Sequence, residues 1–404
     1  MAHPPRRRIL TINTGSSSLK AGVYSLGASE TLLLAARAER IGHSEGQLQI
    51  TDTQGAPLLD QLGHLPDHDA ALHALFAWFQ GHRSGTAFDA VGHRVVHGGD
   101  RYQEPQRITD DLIATLQQLV PLDPNHLPQA LAAIQAARQV YPSIPQVACF
   151  DTTFHRHMPP VAQHYALPHE LWDQGVRRYG FHGLSYESIM DTLRRVDPAA
   201  AGHRVIIAHL GNGASMAAVH RGSGVDTTMG LTPTGGLVMG TRSGDLDPGV
   251  LLYLLQTQGM SPTEVNTLVN QRSGLLGISG STADMRDLLD EESRDPRATA
   301  AIALFCYQAR KFLGALAAVL GGLDTLIFTG GIGEHAAPIR ARICAGMDFL
   351  GIQLDERHNA ANAPIISRDD SAATVRVMPT DEDLMIARHT YRLLLERGAD
   401  HVEV

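Results

Sequence analysis

Three glycine-rich turns are the first places in the sequence where chemistry could occur. They are Gly15-Ser-Ser-Ser18, Gly211-Asn-Gly213 and Gly330-Gly-Ile-Gly333, and each follows an apolar run that is typical of a buried strand. Small residues in such a turn allow backbone N–H groups and hydroxyls to close on phosphate oxygens. None of the three has P-loop spacing, and the third lacks the full glycine spacing of a dinucleotide-binding turn. Any one could be an ordinary tight turn, but three in one chain favour a bound nucleotide.

Two arginines and one aspartate could act on the anions of a nucleotide reaction. A lone arginine is usually a solvated surface charge, so only the motifs that flank Arg94 and Arg242 favour another role for them. The planar guanidinium of arginine can bind carboxylate or phosphoryl oxygens bidentately, which lysine cannot do. Asp151 follows a predicted buried strand, Gln146–Phe150, so its carboxylate could lie at the carboxyl edge of a sheet. Spacing alone does not distinguish this position from that of a turn-forming aspartate.

An internal repeat relates two of the glycine-rich turns. Shifting the sequence by 196 residues places Val205-Ile-Ile-Ala-His-Leu-Gly-Asn-Gly-Ala-Ser215 over Ile9-Leu-Thr-Ile-Asn-Thr-Gly-Ser-Ser-Ser-Leu19. Both segments predict a strand, a tight turn and a second strand. A match at half the chain length indicates two similar domains rather than a solenoid, and it suggests a boundary near Asp151.

The elements that must position these turns alternate between helix and strand. Apolar spacing predicts helices over 70–79, 110–119, 128–140 and 186–196, and Ser261-Pro-Thr-Glu264 is a capping box. Short apolar runs predict buried strands over 89–96, 146–150, 325–329 and 375–378. A last helix is expected from about residue 381 to about 397. This alternation predicts an α/β fold.

Composition and charge exclude several classes of protein. The 404 residues are 43% hydrophobic and 19% charged with a net charge of −9, and the basic residues form no stripe, so we expect no nucleic-acid partner. The three cysteines lack disulfide or metal-site spacing, the first residues lack a secretory apolar segment, and the apolar window over 312–323 is short for a membrane span. We therefore predict a cytoplasmic protein without a membrane segment, in which this window is a buried helix.

Eight motifs in one order along the chain closely resemble the acetate kinase family. They are Asn13-Thr-Gly-Ser-Ser-Ser-Leu-Lys20, His93-Arg-Val-Val-His-Gly-Gly99, Phe150-Asp-Thr-Thr-Phe-His155, Arg178-Tyr-Gly-Phe-His-Gly183, His209-Leu-Gly-Asn-Gly213, Met239-Gly-Thr-Arg-Ser-Gly-Asp-Leu-Asp-Pro248, Phe328-Thr-Gly-Gly-Ile-Gly-Glu334 and Pro379-Thr-Asp-Glu-Asp-Leu-Met385.

The resemblance implies a fold, a reaction and an assembly. The fold would comprise two duplicated ribonuclease-H-like domains of the acetate and sugar kinase/actin superfamily, with a central cleft. The domains would cover 1–150, completed by a helix over 384–404, and 151–383. The reaction would be reversible, direct in-line phosphoryl transfer between ATP and acetate, giving ADP and acetyl phosphate, with Mg²⁺ or alternatively Mn²⁺. A homodimer is also implied.

The resemblance also implies roles for individual residues. The catalytic set would be Arg94, Asp151, His182 and Arg242, with His182 and Arg242 stabilising the transition state and Asp151 also a candidate for the metal. The metal would be held by Asn13 and Glu382. Nucleotide-binding residues would be Lys20, His209, Leu210, Gly211, Asn212, Gly213, Asp284, Met285, Arg286, Gly330, Gly331, Ile332 and Gly333.

The predicted acid pocket differs from the family pattern at one wall. The resemblance implies that Arg94, Val96, Phe181 and Pro233 bind the acid, whereas Asn125 occupies a place usually filled by leucine. His126, the neighbour of Asn125, matches a histidine near the phosphates. A methylene contributes only about 1–3 kcal/mol to discrimination, so we expect acetate first, with propionate close behind and butyrate as a further alternative.

Three alternatives remain open at the level of sequence. A sugar kinase or polyphosphate-type hydrolase of the same superfamily would use Asp151 as a base. A non-catalytic nucleotide-binding module would bind ATP without acid-dependent turnover, because fold does not fix function. A zinc hydrolase could use His93, His97, His155 and His157, although the first pair would share a face only on a helix.

Overall fold

The computed structural model describes residues 5–15, 18–82 and 87–399, and it divides the chain into two compact units. Unit 1 comprises Met1–Thr153 and Asp381–Val404, and unit 2 comprises Phe154–Thr380. Ser16 and Ser17 of the first glycine-rich turn lie outside the described residues, as do residues 400–404 of the predicted last helix.

Unit 1 is built on an eight-stranded sheet in the order β5-β4-β3-β2-β1-β6-β8-β7. The strands are β1 (Arg7–Thr14), β2 (Leu19–Leu26), β3 (Thr31–Glu39), β4 (Gly46–Asp52), β5 (Pro57–Gly63), β6 (Ala90–Val95), β7 (Gln106–Arg107) and β8 (Gln146–Phe150). Strands β1 to β5 pair in antiparallel fashion, β1, β6 and β8 run parallel, and β7 returns antiparallel along β8.

Helices cover both faces of the central strands of unit 1. They span His68–Gly81, Asp110–Leu119, Leu127–Val140 and Glu382–Ala399, and a 3-10 turn spans Val120–Leu122. Alternate residues of a strand point to opposite faces, so Leu10 packs with helix His68–Gly81 and Ile9 packs with the last helix. Strand β1 is therefore buried on both faces, as its apolar run predicts.

Unit 2 contains a five-stranded sheet in the order β11-β10-β9-β12-β13. The strands are β9 (Arg204–Leu210), β10 (Ala214–His220), β11 (Ser223–Thr227), β12 (Thr325–Thr329) and β13 (Thr374–Val377). Its α-helices span Pro160–Gln163, His169–Asp173, Gly183–Val196, Pro198–Ala201, Pro248–Leu252, Pro262–Gln271, Gly274–Ser279, Met285–Glu291, Pro296–Leu320, Gly330–His335, Ala337–Cys344 and Glu356–Ala360. Turns of 3-10 helix span Thr153–His155, at the boundary between the units, and Asp348–Leu350, and a π-helical turn spans Tyr253–Thr257.

The sheet orders confirm the duplicated fold. Strands β3-β2-β1-β6-β8 of unit 1 correspond to β11-β10-β9-β12-β13 of unit 2, with the same antiparallel and parallel pairings. The fold is therefore a pair of ribonuclease-H-like α/β units. The predicted helices and strands are present with shifts of up to three residues at their ends, and the capping box at Ser261 is formed.

Residues 312–320 of the apolar window over 312–323 form the end of a long core helix. Helix Pro296–Leu320 has the length and hydropathy of a membrane span, yet nine of its residues are buried at helical spacing in unit 2. It ends where Gly321 adopts a φ of 69°, a left-handed conformation that suits glycine. The burial of this stripe explains its apolar composition.

Candidate active site

In unit 1, three parallel strands bring polar side chains to one edge of the sheet. Asn13 is near the end of β1, Arg94 is near the end of β6, and Asp151 directly follows β8. Because β6 lies between β1 and β8, the Arg94 side chain is between the other two. The carboxyl edge of parallel strands is where α/β proteins bind ligands.

Arg94 and Asp151 form a bidentate ion pair. Arg94 Nη2 lies 2.6 Å from Asp151 Oδ2, and Nε lies 3.1 Å from both carboxylate oxygens. The Asp151 side chain is 1% exposed. Burial raises the pKa of Asp151 and Arg94 opposes that shift, while the carboxylates of Asp151 and Glu382 raise the pKa of Arg94 against its own burial. The aspartate therefore fixes the arginine, and the guanidinium stays charged.

Asn13 connects this pair to the acidic start of the last helix. Its Oδ1 accepts from Arg94 Nη1 at 3.2 Å, and its Nδ2 donates to Glu382 Oε2 at 3.3 Å. The next residue, Asp383, has a buried Oδ1 without a hydrogen-bond partner among the described residues. Burial, then Glu382, raises the pKa of Asp383 to about 6, and Lys20 opposes that shift. These oxygens are the ligand type that Mg²⁺ prefers.

A second buried carboxylate faces His126. Asp123 is 2% exposed, and His126 Nδ1 lies 2.8 Å from its Oδ1. Asp123 contributes to the raised pKa of Arg94, and His126 lowers that of Asp151, so the two pairs are electrostatic neighbours. The aspartate does not belong to any sequence motif that we identified, and only the fold shows its proximity to Arg94.

In unit 2, a strained turn presents His182. The residue has a φ of 58°, in the left-handed region, and it precedes helix Gly183–Val196. Gly180 permits the turn, because a Cβ there would lie 2.6 Å from the His155 ring. His155 Nε2 contacts the carbonyl oxygen of Phe181 at 3.0 Å. Backbone strain of this kind costs about 1–3 kcal/mol and is concentrated at functional sites.

His182 and Arg242 both lie against the backbone of Gly213. A Cβ at Gly213 would be 3.2 Å from His182 Nε2 and 3.8 Å from Arg242 Nη1. Arg242 Nη1 also donates to the Pro233 carbonyl at 3.0 Å. The structure therefore brings together a histidine and an arginine at the second glycine-rich turn, although they are far apart in sequence.

A cavity of about 560 Å³ opens beside this turn. Seven of the predicted nucleotide-binding residues line it, namely Gly211, Asn212, Asp284, Met285, Arg286, Gly331 and Ile332. Five further residues also line it, namely Ala283, Leu289, His335, Ala336 and Pro338. Leu289 lies one helical turn after Met285, so helical spacing could have indicated it. The cavity is mostly apolar with a few polar groups, and this lining is suitable for binding a nucleobase.

The remaining predicted nucleotide-binding residues lie elsewhere. Lys20 belongs to unit 1, and five others of the set do not line the cavity, namely His209, Leu210, Gly213, Gly330 and Gly333. Gly330 packs closely against the end of strand β9: it has a φ of 77°, and a Cβ there would lie 2.8 Å from the Leu210 carbonyl oxygen.

A fully buried arginine holds the third glycine-rich turn. Arg340 donates to the carbonyl oxygens of Gly333 and Glu334 at 2.9 and 3.0 Å, and to Asn359 and Asn362 on its other side. The carboxylate of Glu334 accepts from Gly330 N at 2.9 Å. The turn is thus fixed from both ends by the chain around it.

The histidines of the zinc alternative do not form a metal centre. His93 lies on strand β6 rather than on a helix, and its Nε2 contacts Gln146 Oε1 at 2.7 Å. Burial lowers the pKa of His93 and of His155 to about 4, so both are neutral at pH 7. Among residues 5–15, 18–82 and 87–399, no group of three or more His, Cys, Asp or Glu could hold a metal ion.

This chain is similar to known proteins over nearly its whole length. The model of the acetokinase family matches residues 8–388. An acetate kinase of Methylocella silvestris is 45% identical over 404 aligned positions, covering 97% of this chain and 99% of the relative. An acetate kinase of Rhodopseudomonas palustris is 47% identical, covering 95% and 98%.

Two solved structures share the fold over nearly the whole chain. The acetate kinase of Porphyromonas gingivalis has a TM-score of 0.84 at 37% identity, covering 96% of this chain and all of its own. The propionate kinase of Francisella tularensis has a TM-score of 0.88 at 34% identity, covering 96% and 99%. With the match to the family model, these likenesses show that this chain is a kinase of the acetokinase family.

Proposed function

We propose that this protein catalyses reversible phosphoryl transfer between ATP and acetate, forming acetyl phosphate and ADP by direct in-line transfer. The observation that supports it most is the pairing of Asp151 with Arg94. A sugar kinase needs an aspartate that accepts a hydroxyl proton, whereas Asp151 is bound to an arginine on both oxygens. A carboxylic acid with a pKa near 4 is already ionised at pH 7, so it needs cations and not a base.

In this proposal, unit 1 supplies charge to the acid. Arg94 binds the carboxylate of acetate, with Asp151 and Asn13 fixing the guanidinium. Val96, which is 4% exposed, contacts the methyl group. Phe181 and Pro233 of unit 2 are also proposed to contact the acid. The attraction of the guanidinium offsets the repulsion between the acid and the triphosphate, which is the main barrier to their approach.

In unit 2, the proposed roles are nucleotide binding and stabilisation of the transferring group. The cavity beside Gly211 and Asn212 holds the nucleoside, and the turn 211–213 supplies N–H groups to the phosphates. His182 and Arg242 donate to the oxygens of the transferring phosphoryl group, over which the charge is spread in a loose transition state.

We propose Mg²⁺ as the metal. Asn13 and Glu382 would hold it, and the unpartnered oxygen of Asp383 adds a further acceptor in the same segment. Mg²⁺ usually binds through one or two carboxylates, water and substrate phosphates, which suits a segment without a larger ligand cluster. When bound, the ion neutralises phosphate charge.

The test is ADP formation from ATP and Mg²⁺ with formate, acetate, propionate and butyrate. Acetate should give the highest kcat/KM. A protein that binds ATP but turns over none of these acids would contradict the proposal and favour a binding module, and turnover with glucose would favour a sugar kinase.

Substitution of Asn125 by leucine should shift this ranking. Asn125 is half-buried, and its side chain makes no hydrogen bond within the described part of the chain. A leucine would give the acid an apolar contact worth about 0.8 kcal/mol per methylene, so the propionate-to-acetate ratio of kcat/KM should rise about fourfold. Gln103→Leu, at an exposed position of unit 1, is the control. An unchanged ratio would remove Asn125 from the acid pocket.

We also propose a homodimer, through an apolar segment of unit 2. None of the residues from Pro248 to Thr257 is buried, although six of the ten are Val, Leu or Tyr. Leu246, Val250, Leu252 and Tyr253 are each at least 42% exposed. A contiguous exposed apolar patch is typical of a protein interface, and a second copy would cover it symmetrically.

Light scattering with Leu252→Glu tests this assembly. The unmodified protein should have the mass of two chains, and Leu252→Glu should have the mass of one at micromolar concentration. Leu62→Glu, at a 71% exposed position of unit 1, should stay dimeric. A monomeric unmodified protein would refute the dimer.

We propose that the protein is located in the cytoplasm, because all three cysteines are buried without forming a disulfide.

A further inference from the structure

Two histidines of unit 2 share an unusual arrangement. The rings of His182 and His209 are stacked, with centroids 4.3 Å apart and planes inclined by 27°. Each ring meets a buried serine through its Nδ1 atom: Ser215 Oγ lies 2.8 Å from His182, and Ser185 Oγ lies 2.8 Å from His209. Both serines are 0% exposed.

A third hydroxyl extends the first of these pairs. Tyr186 is 0% exposed, and its hydroxyl forms a short hydrogen bond with Ser215 Oγ. Tyr186 lies four residues after His182, at the first turn of helix Gly183–Val196, whereas Ser215 comes from strand β10. The group around His182 Nδ1 is therefore assembled from two elements, and it lies on the side away from nucleotide and acid in the proposed function.

The direction of these hydrogen bonds decides which nitrogen of His182 carries the proton. A serine hydroxyl has one proton to donate and can accept further bonds. If Tyr186 donates to Ser215, the serine proton is directed to Nδ1, and a neutral imidazole then carries its proton on Nε2. Nε2 is the atom that lies beside Gly213. The histidine can then donate a hydrogen bond at this turn without being positively charged.

We infer that Ser215 and Tyr186 are positioning residues for His182, and that Ser185 has the same role for His209. They act through the histidines and touch neither nucleotide nor acid. The turn at Gly180 fixes the backbone of His182, and the hydrogen bond with Ser215 restricts rotation of the imidazole ring. The inference rests on the proposed function, in which His182 acts on the transferring phosphoryl group and His209 on the bound nucleotide.

The inference predicts different kinetic effects for the two serines. Ser215→Ala leaves His182 Nδ1 and the Tyr186 hydroxyl without this partner, which should lower kcat about tenfold to a hundredfold and leave the KM for ATP within about twofold. Ser185→Ala should raise the KM for ATP and the Kd for ADP about tenfold and leave kcat within about twofold. A merely structural serine would change both parameters together or only the melting temperature.

A double-mutant cycle tests whether Tyr186 acts through Ser215. Tyr186→Phe should lower kcat about fivefold, because one neutral hydrogen bond is lost. The Ser215→Ala/Tyr186→Phe double variant should be no slower than Ser215→Ala alone, since the tyrosine has nothing left to orient. Tyr307→Phe, at a 63% exposed position, is the control and should match the unmodified protein.

The outcomes separate this inference from the proposed function. Absence of acid-dependent turnover in the unmodified protein refutes the proposed function. In that case the Kd for ADP of Ser185→Ala still decides the role of Ser185, because a Kd equal to that of the unmodified protein overturns that role. If the unmodified protein turns over acid, two results overturn the inference and leave the proposed function standing. One is an unchanged kcat in Ser215→Ala, and the other is that the effects of Ser215→Ala and Tyr186→Phe multiply in the double variant. If Ser215→Ala does not melt cooperatively, Tyr186→Phe decides, and normal kcat in that variant overturns the role of the tyrosine.

Discussion

Arg242→Ala should lower kcat by about a thousandfold while ADP binds within about threefold of normal. The guanidinium lies beside Gly213 and is held by the Pro233 carbonyl, so it is oriented before the substrates arrive. An arginine that stabilises a transferring phosphoryl group contributes about 10³–10⁵ in kcat, and it contributes little to ground-state affinity. Steady-state kinetics with calorimetric titration of ADP measures both quantities.

Two further variants define what is lost at Arg242. Arg242→Lys keeps the charge but not the planar fork, so it should recover only part of the rate. Arg368→Ala removes an arginine of unit 2 whose side chain is 55% exposed, and it should behave like the unmodified protein. A Kd for ADP that rises as much as kcat falls would place Arg242 in nucleotide binding and contradict its proposed role.

Arg94→Ala should abolish measurable acid-dependent turnover and also destabilise unit 1. The substitution leaves the carboxylate of Asp151, at 1% exposure, without its ion-pair partner. Removing one partner of a buried pair costs about 3–5 kcal/mol of the free energy of unfolding. Urea denaturation of the variant and the unmodified protein measures this loss.

The stability deficit of Arg94→Ala should depend on pH. Burial already raises the pKa of Asp151, and Arg94 opposes that shift, so the variant carboxyl should have a still higher pKa. A carboxyl with a raised pKa in the folded state binds its proton more tightly there than in the unfolded state. The free energy of unfolding therefore falls as the pH rises through that pKa. The deficit should therefore be smaller at pH 5 than at pH 8.

A second substitution separates stability from activity at this pair. Adding Asp151→Ala to Arg94→Ala removes the unpaired carboxylate, so stability should return in part while activity stays absent. A deficit that is equal at both pH values, or that the double variant retains in full, would show that the ion pair does not cause the loss.

Much of the fold follows from local patterns in the sequence. Period-two and unbroken apolar runs indicated the strands that position Asn13, Arg94 and Asp151, because a buried strand needs apolar residues on its inner faces. The 196-residue repeat indicated two similar halves, and the two sheets have the same strand order. The residue types of the arginines and glycine turns indicated anion chemistry.

Only the tertiary structure decided which side chains meet. Arg94 and Asp151 are 57 residues apart, and their contact depends on the parallel register of β6 and β8. His182, which precedes a helix, and Ser215, on strand β10, are 33 residues apart. Local periodicity shows which face of an element is buried, but not which element covers it. Asp123 and Ser215 therefore became visible only when packing placed them beside Arg94 and His182.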